Sequence, residues 1–185
     1  MRIVSGKYKG RRISAPKKLP VRPTTDMAKE SLFNIINNLY YFDDISVLDL
    51  FSGTGNISYE FASRGTTQIT AVDENYGCIK FINETAESFE MPISTIKSDV
   101  FKYLERSQQQ HTIIFADPPY DFPTEEFAKI PELVFQNTLL EPNGILIVEH
   151  SKHTDLSHLD HYNNSRSYGG NMFSFFEATA QDEEE

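Results

Sequence analysis

The chain has no tryptophan and a single cysteine, Cys78, in 185 residues. One thiol cannot close an intramolecular disulfide, so a chain of this length must rely on its core. No apolar run reaches the length of a membrane-spanning helix. The N-terminus is basic from Arg2 onward with no apolar stretch behind it, unlike a secretory signal. These absences predict a cytoplasmic protein with no membrane partner and with Cys78 buried on a helix. Positive charge is also scarce, and the net charge is −10. Taken alone, that balance argues against nucleic acid. The scarcity is uneven, however. Residues 1–29 hold nine Lys and Arg and one acid, Asp26, a net of +8 that leaves −18 for the remainder. A split this steep predicts a basic arm for a polyanion, with Lys7, Lys9, Arg11 and Arg12 at its centre.

Residues 2–14, "RIVSGKYKGRRIS", alternate weakly around Gly6 and Gly10 and read as short strands or a hairpin. "APKKLPVRP" is a proline-punctuated connector. "TTDMAKESLFNIINNLY" reads as a helix capped by Thr25 or Asp26, with Leu32, Ile35, Ile36 and Leu39 on one face. From Ile45 the pattern alternates. Strand-like runs at 45–50, 68–72, 93–98, 112–116 and 144–149 are separated by helix-like stretches at 56–64, 76–89, 100–106 and 125–140. Gly65 stands where a helix C-cap would. The fold class is therefore α/β, a doubly wound, mostly parallel sheet covered on both faces. "NMFSFFEATA" would add an antiparallel C-terminal edge strand. The organisation is a basic arm at 1–23, a body at 24–180, and an acidic tail at 181–185 without fixed structure.

The first strand runs into "LDLFSGTGNIS". This glycine turn is no P-loop, since GxxxxGK[ST] is absent. It is no dinucleotide fingerprint either, because Ser58 stands where the third glycine belongs. An acid, Asp49, precedes Phe51, Gly53 and Gly55. A carboxylate there would repel a pyrophosphate and attract a cationic amino-acid moiety. That chemistry points to S-adenosylmethionine, which carries an ammonium and a sulfonium but no phosphate. Asp73, at the end of the second strand, can accept both hydroxyls of a ribose. Asp99 ends the third strand, where it and the Val100 N–H can meet an adenine. Each acid has a plainer reading as a helix cap or a solvated loop carboxylate.

The fourth strand ends in Asp117-Pro118-Pro119-Tyr120 on the same carboxyl edge. An exocyclic amine is a poor nucleophile because its lone pair is delocalised into the ring. The Asp117 carboxylate and the Pro118 carbonyl can accept its two N–H bonds and draw the nitrogen toward a pyramidal shape. The prolines fix that carbonyl and offer no competing donor. Tyr120 can stack on a flipped planar acceptor.

These stretches resemble the RsmD family of bacterial 16S ribosomal RNA guanine-N2 methyltransferases. The resemblance rests on "RIVSGKYKGRRI", "RPTTDMAKESLFN", "VLDLFSGTG", "DPPY" and "YGGNMFSFFE", in that order. It covers Arg2 to about Glu177, and it implies a Rossmann-like methyltransferase fold. By resemblance, Asp49, Phe51, Gly53 and Gly55 hold the methionyl part of S-adenosylmethionine, Asp73 the ribose and Asp99 the adenine. Asp117, Pro118, Pro119 and Tyr120 form the acceptor slot, with Arg22, Thr24 and Thr25 beside the cofactor or the target base. The family often has glutamate at the Asp73 position and varies at Asp99. The implied partner is 16S rRNA in a 30S particle or assembly intermediate, met by a monomer.

Two other readings stand beside this one. The slot could methylate an adenine or cytosine amine or a protein glutamine amide, or the chain could be a non-catalytic RNA-binding module with a vestigial pocket. The basic arm and the 22–26 motif favour RNA, and acids at 49, 73 and 117 favour catalysis. His150, His153, His158 and His161 match no structural zinc spacing, so 150–161 reads as a polar loop and no metal is expected. Tyr168-Gly169-Gly170 reads as a turn before the last strand.

Overall fold

The computed structural model describes residues 1–22 and 24–178, so the acidic tail expected at 181–185 lies outside the described residues. The chain forms α1 (Asp26–Leu39), β1 (Ser46–Leu50), α2 (Asn56–Ser63), β2 (Gln68–Asp73), α3 (Tyr76–Phe89), β3 (Ile93–Lys97), α4 (Val100–Arg106), β4 (His111–Ala116), α5 (Thr124–Gln136), β5 (Leu140–Ser151), β6 (Tyr162–Tyr168) and β7 (Asn171–Glu177). The strands make one sheet in the order β3-β2-β1-β4-β5-β7-β6. The first five are parallel, and β7 and β6 are antiparallel.

Strand parity divides the core. Val47, Ile113, Phe115, Ile145, Ile147, Phe173 and Phe175 pack with α1 and α2 on one face. Leu48, Leu50, Ile114, Ala116, Leu146, Val148 and Phe176 pack with α4 and α5 on the other. Successive strand residues point to opposite faces, so both covers need apolar side chains, and the strands read as continuous apolar runs. Between β1 and β4 the order in which strands are added to the sheet reverses, while the strands stay parallel. That switch point opens a crevice at the carboxyl edge, where doubly wound sheets bind ligands.

Several local expectations resolve differently. The predicted helix from 125 to 140 ends at Gln136. Leu139 N–H bonds to Val134 C=O and Thr138 N–H to Phe135 C=O, a Schellman closure with Thr138 at φ 53°. No glycine announces that stop. Leu140 therefore opens β5. Thr25 caps α1, its hydroxyl accepting from Ala28 N–H. Leu39 does not join the buried face and is 56 % exposed. The C-terminal antiparallel strand is β7, and the polar β6, which overlaps no predicted strand, lies outside it at the sheet edge. The histidines disperse. His150 belongs to β5 and bonds Ser174 Oγ at 2.7 Å, and His161 stacks on Phe135. Cys78 is buried in α3.

The N-terminal segment forms a small hairpin with one antiparallel bridge, Arg2 to Arg12. It is not a free arm. Ile3 and Ile13 are buried against Tyr59, Ile82 and Ala86 of α2 and α3. The fully buried Glu60 carboxylate accepts from Val4 N–H and Ser5 N–H, each at 3.0 Å, and also faces Lys29 at 3.4 Å and Arg64 at 3.0 Å. Lys29 is therefore a core cation on α1 rather than part of the basic surface. Arg2 pairs with Asp26 at 3.1 Å. Lys7, Lys9, Arg11, Arg12, Lys17 and Lys18 are exposed, with no acid within ion-pair distance among the described residues.

Gly6 fixes the hairpin's seat. Its φ is +88°, and a Cβ there would stand 2.0 Å from the Ser63 carbonyl oxygen. Lys7 N–H bonds that same oxygen at 2.7 Å. Gly6→Ala should destabilise the protein by about 2–4 kcal/mol through left-handed strain and lost seating. Denaturant unfolding would measure the loss, and proteolysis within residues 1–14 should become faster. Unchanged stability and protection would mean that the hairpin is not anchored through Ser63.

Candidate active site

The carboxyl edge is built by the same parity as the core. On the α1 face, Val47 is followed by Asp49, Phe115 by Asp117 and Ile147 by Glu149. Ala116 pairs with Val148, which sets Asp117 beside Glu149 at the ends of β4 and β5. From β7, Asn171 reaches the same place and donates to Glu149 Oε1 at 3.1 Å. One sheet face thus ends in three carboxylates and an amide.

Asp49 is buried, and Ser58 Oγ donates to its Oδ2 at 2.6 Å. This explains a serine at the third-glycine position: it holds the acid. Burial lifts the Asp49 carboxyl to about 7, offset in part by the Ser58 bond and reinforced by nearby Asp73. The turn that follows needs left-handed backbone. Phe51 and Gly53 have φ 55°, and Gly55 has φ 90°. Gly55 caps α2 with no side-chain bond, so the helix N-terminus opens toward the crevice. Ser52 Oγ is buried here with no partner among the described residues. Asp73 accepts Gly53 N–H at 2.9 Å and Asn75 N–H at 2.8 Å, one on each oxygen. Its carboxylate is thereby aimed, and each oxygen keeps a free lone pair. Asp99 takes the cap role, accepting from Lys102 N–H at 3.0 Å at the start of α4, next to buried Val100.

Two aromatic residues absent from the sequence reading complete this half. Phe101 and Phe122 stack on each other at 6.3 Å and meet Phe51 edge-on at 6.2 and 5.8 Å. They form an apolar wall beside Val100. Their signal was available, since Phe101 follows Val100 directly and Phe122 stands two residues after Tyr120.

In the second half, Asp117 N–H extends the ladder to Leu50 C=O, and Phe122 N–H closes a turn on Pro119 C=O at 3.1 Å. No donor among the described residues reaches the Pro118 carbonyl. Tyr120 O–H donates toward Glu149 Oε1 at 3.4 Å, and the Arg22 guanidinium lies 3.3 Å above the Tyr120 ring centre. Arg22 also faces Glu149 at 3.9 Å, and Thr24 Oγ1 donates to Glu149 Oε2 at 3.4 Å. Glu149 is raised to about 7 by burial, tempered by Arg22 and by its bonds from Thr24 and Tyr120. Asp117 is pushed well above the usual carboxylate range by burial and then by Glu149, with Arg22 opposing. Sequence reasoning missed Glu149, although it ends a buried strand in an acid as Asp49 and Asp117 do.

The connector crosses this edge. Leu19 lies over Gly77 at the start of α3, Val21 over Gly53, and Arg22 over Tyr120. Of the predicted residues, Arg22 and Thr24 join the slot, whereas Thr25 caps α1. Lys7, Lys9, Arg11 and Arg12 stay on the hairpin, on the flank formed by α2 and α3. A groove of about 1210 Å³ opens elsewhere, lined by Pro131, Phe135, Leu140 and Asn143, away from these carboxylates.

A carboxyl whose folded value is raised favours folding at low pH, and that contribution is lost as pH climbs from the unfolded value to the folded one. For Asp49 the window runs from about 4 to about 7. Asp49→Asn keeps an oxygen for Ser58 and removes the titration. Relative to the native chain, its stability should therefore rise by about 1–3 kcal/mol between the two ends of that window. Denaturant melts at both ends would test this. A difference independent of pH would mean that Asp49 is already ionised in the fold.

The chain is similar to known proteins over most of its length. YlbH of Bacillus subtilis is 32% identical over 161 residues, covering 84% of this chain and 85% of that one. The ribosomal RNA small subunit methyltransferase D of Buchnera aphidicola subsp. Baizongia pistaciae is 30% identical over 150 residues, with coverage of 80% and 75%. The 16S rRNA N2 guanine methyltransferase RsmC of Thermus thermophilus, solved with AdoMet and guanosine, shares the fold at a TM-score of 0.68 and 16% identity, covering 87% of this chain and 45% of that one. The family model described as conserved hypothetical protein 95 matches residues 1–177. The glycine turn, the acid-ended strands and the Asp117–Tyr120 slot all fall within that match, and the chain belongs to this family, the RsmD family.

Proposed function

We propose that the chain transfers a methyl group from S-adenosylmethionine to the exocyclic N2 amine of a guanine in 16S ribosomal RNA. The observation that carries this reading is the shared edge. The glycine turn with Asp49 and Asp73 sits beside the Asp117–Pro118 acceptor pair on one end of one sheet.

The residues fit the cofactor. A methionyl end carries an ammonium and a carboxylate, and Asp49 and the uncapped α2 N-terminus are complementary to them in turn. Asp73 keeps lone pairs for ribose hydroxyls, and Phe51, Phe101 and Phe122 beside Val100 offer an apolar wall to an adenine. Asp99, already engaged as a cap, contributes through position more than through a free carboxylate. Bound S-adenosylmethionine supplies a sulfonium methyl that leaves with its sulfur becoming a neutral thioether.

The chain's part is to prepare the amine. Asp117 Oδ and the Pro118 carbonyl take its two N–H bonds, which frees the nitrogen lone pair for in-line attack. One N–H proton is lost as the N–C bond forms, and Asp117 is placed to take it, its raised affinity for protons aiding the acceptance. Both acceptors are fixed before the reaction, by the β4 ladder and by proline rings, so they stabilise the transition state more than the ground state.

The exposed cations of the hairpin and connector supply phosphate contacts, while the slot selects the base. The acidic body disfavours free RNA, which supports an assembled 30S particle or assembly intermediate as substrate. The polar β6 edge supports action as a single chain, and a ribosomal RNA substrate places that action in the cytoplasm.

Asp117→Ala should bind S-adenosylmethionine almost normally and transfer methyl to unmethylated 30S particles about two to three powers of ten more slowly in single turnover. Transfer at the native rate would remove Asp117 from the reaction. Replacing Lys7, Lys9, Arg11 and Arg12 together by alanine should weaken particle binding and flatten its salt dependence, leaving cofactor affinity unchanged. A salt slope that does not move would show that the hairpin is not the RNA contact.

A further inference from the structure

The amine chemistry uses Asp117 and the Pro118 carbonyl and leaves Glu149 without a role. Yet Glu149 is fully enclosed beside them, its side chain 0% exposed, and an enclosed carboxylate is costly unless it has a partner. Apart from Asp117, the polar groups that face it are donors: Thr24, Tyr120, Asn171 and, at 3.9 Å, the Arg22 guanidinium. Arg22 is the exposed member of this group, 52% accessible, and sits on the connector. Its guanidinium lies flat enough on Tyr120 to approach the ring centre to 3.3 Å, the separation of stacked planes.

A guanidinium stacked on an aromatic ring and facing a carboxylate has a chemical counterpart. The N1–C2–N2 edge of guanine is itself a guanidine, planar, with N–H donors on two adjacent nitrogens. A site that holds Arg22 by ring and carboxylate can hold that edge by the same two groups. We propose that Glu149 is the guanine-selecting residue of the slot, accepting the N1–H of a base stacked on Tyr120 in the space the Arg22 guanidinium fills in the resting chain. The inference rests on the methyl-transfer reading above.

Adenine at N1 and cytosine at N3 present a lone pair in place of that N–H, and a carboxylate repels it. Glu149 thus rejects the two other amino-bearing bases by leaving their ring nitrogen and its own oxygen unpaired in an enclosed site. The donors from Asn171 and Tyr120 to Oε1 orient the carboxylate while leaving acceptor capacity for the base. Arg22 leaves as the base enters, and its connector places it among the cations available to phosphate.

2-Aminopurine keeps the N2 amine and has a lone pair at N1. The test uses 30S particles assembled with unmethylated 16S rRNA, carrying at the methylated position either guanine or 2-aminopurine, in single turnover with saturating S-adenosylmethionine. The native chain should act on guanine about four powers of ten faster, the scale on which a site rejects an analogue lacking a hydrogen bond it was built to make. Glu149→Gln, whose amide N–H can meet a lone pair, should narrow that ratio at least tenfold or reverse it. Equal native rates on the two bases would overturn the proposal without any variant. So would Glu149→Gln slowing both bases with the native ratio intact, since Glu149 would then be only structural. A native chain that binds the cofactor and methylates neither particle would defeat the methyl-transfer reading itself, and this inference with it.

Discussion

Glu60 ties the hairpin, α1 and α2 together at one buried point. Its buried carboxylate takes two backbone N–H groups from the hairpin, the ammonium of Lys29 on α1 and the guanidinium of Arg64 at the end of its own helix. Both charges of the Lys29–Glu60 pair are almost wholly removed from water, so neither tolerates the loss of the other. The geometry has consequences at a distance. With the hairpin seated on α2 and the N-terminal half of α1 fixed, the connector between them has no choice of route. It crosses the carboxyl edge and brings Leu19, Val21 and Arg22 onto the glycine turn and the slot.

At that edge the core's own alternation turns into chemistry. The sheet face covered by α1 and α2 is apolar until its last residues, which are Asp49, Asp117 and Glu149. Burial raises the proton affinity of all three, and at Asp117 the neighbouring Glu149 and Asp49 add to it. The site is therefore short of positive charge. A sulfonium cofactor with an ammonium group, a guanidinium, or a proton each relieves it. The same deficit that costs stability is a source of affinity for cations.

Much of this was legible in the sequence because it follows from short-range rules. Alternating apolar runs specified the parallel sheet, and acids at strand ends with a glycine turn specified the crevice. The expectations that shifted depend on partners remote in the chain. Helix α5 stops at a left-handed threonine rather than a glycine. The segment "YNNSRSY" is a strand because β7 offers it an edge, not because it is apolar. Lys29 counts with the basic segment and Glu60 carries no signal in the sequence, and only the hairpin laid over them makes their pairing interior. Glu149 is the exception. It had the same signature as Asp49 and Asp117, at the end of the fifth strand, where no motif drew attention to it.

The separation of charge along the chain becomes, once folded, an electric dipole. Among the described residues, six exposed cations without acidic partners lie on the hairpin and connector, and the net charge of the whole chain is −10. Near a polyanion, the molecule as a whole is repelled while its basic flank is attracted, so the field exerts a torque before any contact forms. Only approaches with the hairpin leading are downhill. Because the connector ties the hairpin to the slot, the orientation selected in solution also determines which way the slot faces on arrival.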